Sequence, residues 1–412
     1  MGLYTSPHLR SVRERIQINN EPLSEPLFSK YFFDMWDRLS ATGDGSKPVY
    51  FRFLTLVAFH AFLQEQVDTA VIECGIGGEY DSTNFLVSPI VTAVTALGID
   101  HVGMLGGTIA EIAWHKAGIF KKGASAFTVA QPKPAMDVLH KRAKERDTEL
   151  RLVERHPQIA SGEVKLGLAG DFQKSNASLA VAVAAAHLRA LGHDFVPNPS
   201  DINKQELPVE FRRGLEQVKL PGRCEVRHEV GNRIAWCLDG GHTLDSVEVA
   251  VRWFAEEVQT LQQSNAGSQH HSQQPRILIF NQQTRDAIGL ACALFTTLST
   301  VLRVKPFTHV IFTTNVTFKD AGYKPDLVAM NSSTEEVQAL KVQKELAAIW
   351  AELDPAADIK ITATIEDAVN DVRIVARQAN TKETNEETIV FITGSLHLVG
   401  GALEILETGG IK

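Results

Sequence analysis

Several short stretches of this 412-residue chain place acids, imidazoles and amines where strands should end. In "VIECGIGGEYDSTN", Glu73 follows a β-branched run and precedes a glycine-rich turn. The turn superficially matches a dinucleotide fingerprint, but Tyr80 stands where the third glycine belongs. A carboxylate at the strand tip would also repel a bare pyrophosphate. A divalent cation lying between the acid and a phosphate removes that conflict; the plainer alternative is that Glu73 caps a helix or meets an arginine. In "LGIDHVGMLGGTIAEIAWHKAGIF", Asp100 and His101 read as the end of the neighbouring strand, so His101 is either a metal ligand in the same crevice or an ordinary loop residue. Further on, Ile109, Ile112, Ala113 and Lys116 share one helix face at i, i+3, i+4 and i+7. That face is apolar, which turns Lys116 inward. A buried, unpaired ammonium is costly. A carboxylate partner, a depressed pKa or covalent neutralisation would relieve it, and carbamylation by carbon dioxide is one such neutralisation. The bland alternative is a lysine that snorkels to the helix edge. A carbamate would suit a second metal beside His101.

The second half of the chain carries a further set. Arg223 in "LPGR" can clamp a phosphate bidentately. In "CLDGGHT", Asp239 can cap the next helix and His242 can contact a phosphate or nucleotide. "ITGSLHLVGG" ends a strand in a glycine-serine loop at Ser395. Each signal is weak alone; together they are expected to bring polar loops from both halves of the chain to one cleft.

The elements that must hold these residues alternate between strand and helix. "YFRFLTLVAFHAFLQEQVDTA" (50–70) reads as a helix feeding the strand before Glu73. "IVTAVTALGIDH" and "SAFTVAQP" read as strands around the helix of Lys116, and "DFQKSNASLAVAVAAAHLRAL" (171–191) as a small-residue helix. "LPGRCEVRHEVGNRIAWCLDGGHT" reads as a hairpin turning at Gly231-Asn232, and "RILIF", "THVIFTT" and "ETIVFITGS" as further strands. Such alternation implies βαβ units and parallel sheets, with ligands beyond the carboxyl ends of the strands. The length predicts two domains, divided near 218–224: an N-terminal domain over 1–220 and a smaller α/β domain over 221–412. "QQSNAGSQHHSQQP", near 262–275, reads as a polar, disordered insert. The formal charge of −8 argues against a nucleic-acid partner, whose footprint would be basic. Four cysteines without zinc-type spacing read as buried thiols in a reducing compartment. No run of eighteen apolar residues and no secretory or transit-type leader is present, so the cytoplasm is the expected location.

Read in order, "YTSPHLRSVRERIQIN", "FRFLTLVAFHAFL", "VIECGIGGEYDSTN", "LGIDHVGMLGGTIAEIAWHKAGIFK", "QKSNASLA", "LPGRCEV", "LDGGHT" and "TGSLHLVGG" closely resemble the eukaryotic folylpolyglutamate synthases, of the Mur ligase superfamily. The resemblance runs from residue 2 to residue 401. It implies a Mur-ligase-like α/β fold: an ATP- and folate-binding domain over 1–220 and a Rossmann-like C-terminal glutamate-ligase domain over 221–412. It implies an ATP-dependent ligase that adds L-glutamate to the γ-carboxylate of a tetrahydrofolate through an acyl phosphate. ATP, glutamate and the folate are the implied partners, ATP being the co-substrate, with Mg2+ as cofactor, K+ as a further allowed ion, and a monomeric chain. By the same resemblance Glu73 and His101 are ligands of two magnesium ions and Lys116 is a carbamylated lysine. Asn176 becomes an adenine-site residue, Arg223 a phosphate contact, and Asp239 and His242 the nucleotide and catalytic contacts of the C-terminal domain. Ser6, with His8, and Ser395 are further residues needed for activity. The family often has DGAH where Gly241 stands here, a change expected to be tolerated.

The resemblance also implies a phosphate-binding loop ahead of the "TSPHL" corner, ending in Gly-Lys-Ser/Thr. No Gly-Lys pair occurs in the printed chain. The leading expectation is an incomplete sequence, which would turn over no glutamate by itself and could have lost a mitochondrial leader with its front end. A degenerate paralogue that binds folate without turnover, and a shorter enzyme with another mode of ATP binding, are the alternatives. Two other activities are weighed as well: dihydrofolate synthase, and a nicotinamide oxidoreductase resting on "GIGG".

Overall fold

The first described residues already form a strand in the computed structural model: β1 (Gly2–Tyr4) pairs antiparallel with β2 (Ile16–Ile18) and parallel with β4 (Ala70–Ile72). A short β3 (Glu21–Pro22) completes the order β3-β2-β1-β4. The structure describes residues 1–41, 47–193, 196–264, 275–283, 286–319, 339–380 and 387–410. From 265 to 274, the expected polar insert lies outside them. The first sheet is covered by α1 (Glu25–Ala41) and α2 (Tyr50–Gln64), whose Tyr31, Phe53, Val57 and Phe62 pack with Tyr4 and Ile16. Helix α2 stops short of the expected residue 70 because Gln66 takes a left-handed φ of 51°, which breaks the helical ladder.

A second sheet, β5 (Val91–Val94), β6 (Ser125–Thr128) and β7 (Leu150–Leu152), is wholly parallel. Between its strands run α3 (Val102–Leu105), α4 (Ile109–Lys116) and α5 (Lys133–Glu145); beyond it come α6 (Pro157–Ala160), α7 (Gln173–Ala190) and α8 (Val209–Gln217). Alternate strand residues face opposite sides. Ala126 packs with Ala113, Phe120 and Leu139 on the α4–α5 side, while Phe127 packs with Leu179 and Ala182 of α7.

The expected strand over "IVTAVTALGIDH" ends early. It stops at Val94, and the next backbone groups are taken by one distant side chain: Gln131 Nε2 donates to the Thr95 carbonyl at 2.8 Å and Gln131 Oε1 accepts from the Leu97 N–H at 3.0 Å. Asp100 and His101 are therefore loop residues, and β5 is hydrogen-bonded to β6 and not to β4. The reading of His101 as the tip of the strand beside Glu73 is corrected on both counts.

The remaining elements make one six-stranded sheet, in the order β12-β11-β10-β13-β9-β8. Its strands are β8 (Glu225–Glu229), β9 (Ile234–Leu238), β10 (Arg276–Phe280), β11 (His309–Phe312), β12 (Asp358–Ile361) and β13 (Thr388–Thr393). Only the edge strand β8 is antiparallel. Helices α9 (Leu244–Ser264), α10 (Ala287–Leu302) and α11 (Lys341–Leu353) pack together in one layer, and α12 (Ile365–Asn380) pairs with α13 (Leu396–Thr408). Neighbouring strands β9 and β13 thus lead into helices of different layers, the topology that places ligand sites at the carboxyl ends of strands in open α/β sheets. The chain divides into two compact units, Met1–Leu166 with Lys174–Gln217, and Gly167–Gln173 with Val218–Lys412.

Candidate functional site

In the first unit, Glu73 directly follows β4. Its Oε2 accepts the backbone N–H of Ser6 at 2.8 Å, and its own N–H donates to the Tyr4 carbonyl at 2.9 Å. The corner after β1, with its cis Ser6-Pro7 bond, is thereby tied to the acid. His8 Nδ1 accepts from Arg15 Nε at 2.9 Å, and the Arg15 guanidinium lies 5.8 Å from the Tyr50 ring centre. Glu14 gathers the N–H groups of Leu9, Arg10 and Ser11, so the corner is fixed from within.

The glycine-rich loop after Glu73 is organised by Asp81, a residue the sequence reading did not single out. Its carboxylate accepts from Ile76 N, Thr83 N and Thr83 Oγ1 at 2.9, 2.9 and 2.7 Å. The Asp-x-Thr spacing is the signal for such a turn. The other acid of the loop, Glu79, is the one that meets arginines: Arg142 and, at 2.8 Å, Arg146. Gly75 and Gly78 allow close approach. A Cβ on Gly75 would lie 2.3 Å from the Phe51 ring, and one on Gly78 2.7 and 2.8 Å from the His115 and Lys116 carbonyl oxygens. Asn84 Nδ2 fastens the loop to the Gly118 carbonyl at 3.2 Å.

The loop therefore rests on the last turn of α4, which carries Lys116. Ile112 and Ala113 are buried as the spacing requires, and Lys116 beside them is half-buried. Among the described residues no carboxylate lies within ion-pair distance of it. The Cys74 thiol is pushed up mainly by burial; Asp81 and Glu73 add to that and Lys116 opposes it, so the lysine and both acids act on one spot. His101 stands apart from this group in its contacts. It is 41% exposed, 3.8 Å from Asp100, with a left-handed φ of 51° at the start of α3. Asn176 is half-buried in the first turn of α7.

Among the described residues no three His, Cys, Asp or Glu side chains converge to cage a metal. A single carboxylate at a strand tip fits the other kind of magnesium site, in which phosphate oxygens and water supply most of the coordination. Glu73 fits that role on its position.

In the second unit, the structure brings Arg223, Asp239, His242 and Ser395 to the carboxyl ends of β9 and β13. Asp239, 5% exposed, accepts from Gly241 N at 2.8 Å on Oδ1 and from Cys224 N at 2.9 Å on Oδ2. Burial raises its pKa, against the pull of these hydrogen bonds and of Arg223. It caps no helix; Thr243 and Ser246 do that, the Ser246 N–H donating to Thr243 Oγ1 at 3.2 Å. His242 Nδ1 lies 3.1 Å from the Gly240 carbonyl, which fixes Nδ1 as the protonated ring nitrogen. The Gly394 N–H donates to the Gly241 carbonyl at 3.1 Å, and Gln282 Nε2 to the Gly394 carbonyl at 2.9 Å. Ser395, next in sequence, is thus held beside "DGGHT". A Cβ on Gly241 would lie 3.0 Å from Asp239 Oδ1 and from the Ser246 carbonyl, so the alanine common in the resembling proteins needs a shift of a few tenths of an ångström here.

The family profile described as "Dihydrofolate synthetase, C-terminal domain" matches residues 222–405. Folylpolyglutamate synthase from Saccharomyces cerevisiae strain FostersO is 46% identical over 426 aligned positions, covering 100% of this chain and 72% of the yeast protein. The folylpolyglutamate synthase of Mycobacterium tuberculosis, solved with ADP and AMPPCP, matches at a TM-score of 0.70 and 25% identity, over 98% of this chain and 84% of that one. The fold also matches that of Escherichia coli FolC, solved with DHPP and ADP, at a TM-score of 0.63 and 21% identity, over 99% and 82% of the two chains. With two α/β units, 46% identity to the yeast protein over the whole of this chain and 72% of that one, and strand-end loops in the places described, the chain belongs to the folylpolyglutamate synthase family of ATP-dependent, Mur-ligase-like enzymes.

Proposed function

We propose that the protein adds L-glutamate to the terminal γ-carboxylate of a tetrahydrofolate, with ATP as co-substrate. The γ-carboxylate attacks the γ-phosphate of ATP and ADP leaves. The glutamate amine then attacks the acyl phosphate, and phosphate departs as the amide forms. The observation that carries this reading is the 46% identity to the yeast enzyme over the whole chain. A carboxylate does not condense with an amine at neutral pH, so the phosphoryl group supplies the leaving group.

In this reading Glu73 holds the magnesium that ATP brings, supported by its place at the tip of β4 and by its tie to the Ser6 corner. A bound magnesium would supply charge neutralisation at the phosphates. Lys116, half-buried without a carboxylate partner among the described residues, is the proposed carbamylated lysine, and its carbamate and His101 would be ligands of a second magnesium. In the second unit Arg223 is the proposed phosphate clamp, Asp239 a nucleotide contact, and His242 and Ser395 residues needed for activity; in the first, Asn176 is the proposed adenine-site residue and Ser6 a further residue needed for activity. A potassium ion, a monomeric chain and a cytoplasmic location belong to the same proposal.

The test is ATP-dependent incorporation of labelled glutamate into tetrahydrofolate by the full-length protein. Glu73→Gln and Lys116→Ala each should lower it by at least about 100-fold, the scale of losing one preorganised charge at a reacting phosphate. Short carboxylic acids should restore part of the Lys116→Ala loss, because they replace the carbamate oxygens. Normal turnover by Lys116→Ala would remove the carbamate from the scheme.

A further inference from the structure

The turn before β8 contains a residue that the proposed reaction does not account for. Cys224 is buried and adopts a left-handed φ of 46°, unusual for a residue with a Cβ. The conformation aims both its donors the same way. Its backbone N–H donates to Asp239 Oδ2 at 2.9 Å, and its thiol donates to the same oxygen with a sulfur–oxygen distance of 3.4 Å. A carboxylate oxygen has two lone pairs. Oδ2 is therefore saturated from within, whereas Oδ1 accepts only the Gly241 N–H among the described residues, at 2.8 Å.

We infer that Cys224 is a positioning residue that commits one Asp239 oxygen to the protein and leaves Oδ1 with one lone pair for a hydroxyl of the bound nucleotide. The inference rests on the reading of Asp239 as a nucleotide contact. The thiol donates only while it is protonated. Burial, with Asp239 beside it, pushes its pKa far above neutrality, so the proton is present throughout the working range.

Other groups around Asp239 do not duplicate this role. Arg223, on the same turn, supplies positive charge, its Nη1 3.5 Å from where a Cβ of Gly240 would lie. From α9, Glu257 acts on the Cys224 thiol and raises its pKa further. From the β13–α13 side, Leu396 closes over Gly240, where a Cβ would meet it at 2.3 Å. His242, on the loop of Asp239 itself, is turned toward the Gly240 carbonyl. The thiol is the one side-chain hydrogen-bond donor on Asp239 among the described residues.

The full-length protein and its Cys224→Ala, Cys224→Ser and Asp239→Asn variants are compared for ATP KM, kcat and the pH dependence of Mg-ADP affinity, with melting temperatures recorded for each. Asp239→Asn tests the underlying reading: it should raise the ATP KM, and an unchanged KM would reject Asp239 as a nucleotide contact. Cys224→Ala should raise the ATP KM roughly 3- to 10-fold, the worth of one weak donor on a carboxylate, with kcat within about twofold. Because the thiol stabilises the ionised carboxylate, its loss should also raise the pH below which Mg-ADP affinity falls, by about half a unit to one unit. Cys224→Ser, which restores an O–H donor, should recover both values. If Asp239→Asn weakens nucleotide binding but Cys224→Ala changes neither KM nor the pH profile, or lowers kcat and melting temperature alone, the positioning role is refuted while the reading of Asp239 stands.

Discussion

Gly75 and Gly78 look interchangeable in "GIGG", yet they meet different neighbours. At Gly75 an added methyl would strike the end of a Phe51 ring, which can rotate or slide; at Gly78 it would strike two backbone carbonyls of the α4 terminus, which cannot. We therefore expect Gly78→Ala to lower stability by about 3 kcal/mol and Gly75→Ala by about 1 kcal/mol, the range for overpacking, as read from denaturant midpoints. Equal costs would contradict the contacts described. The sequence announces Glu73, because an acid at the end of a β-branched run has few structural reasons to be there. It does not announce Phe51 or Cys224, whose importance comes from what lies opposite them in space. Asp81 was legible in principle through its Asp-x-Thr turn spacing.

At the scale of elements, helices such as α2, α4 and α7 and strands such as β6, β10 and β13 were readable, since apolar spacing and β-branched runs are local. Helix α4 starts at Thr108 with a full capping box, Thr108 Oγ1 accepting from Glu111 N at 3.2 Å and Glu111 accepting from Thr108 N at 2.9 Å. Thr108→Ala should cost about 1 kcal/mol and fray the helix that presents Lys116. The end of β5 was misread for the opposite reason: Gln131, far along the chain, occupies the backbone groups that a longer strand would have used. The glycine loop is likewise anchored from a distance. Glu79 pairs with Arg142, which is nearly buried and lies 4.7 Å from the Trp114 ring centre, and with Arg146. Glu79→Gln leaves Arg142 with only the more exposed Glu145, 2.9 Å away, as a carboxylate partner among the described residues. The expected loss is about 3 kcal/mol, from the cost of breaking a largely buried pair, measurable by chemical denaturation. A change under about 0.5 kcal/mol would mean that the pair is solvated and that the loop has another anchor.

At the scale of the whole molecule, an acidic chain with a net charge of −8 must bind a triphosphate and an anionic folate tail. Its long-range field opposes both, so local positive charge has to offset it. In the proposed reaction, magnesium carried by the phosphates supplies that charge. Removing magnesium with a chelator should weaken ATP binding by at least about tenfold, more than screening alone would change it, and Glu73→Gln should shrink that difference. The fold class was legible because strand and helix alternate along nearly the whole chain. Which strands neighbour each other was not: that order follows from long-range pairing, as the separate places of β4 and β5 illustrate.

In the proposed reaction a folate carboxylate is phosphorylated before the amide forms. The most direct measurement uses a tetrahydrofolate whose γ-carboxylate carries heavy oxygen, incubated with the full-length protein, Mg-ATP and glutamate. One labelled oxygen should appear in the released phosphate for each amide formed. Amide formation with unlabelled phosphate, or phosphate release without any glutamate addition, would rule out phosphorylation of the folate carboxylate as the step before amide formation.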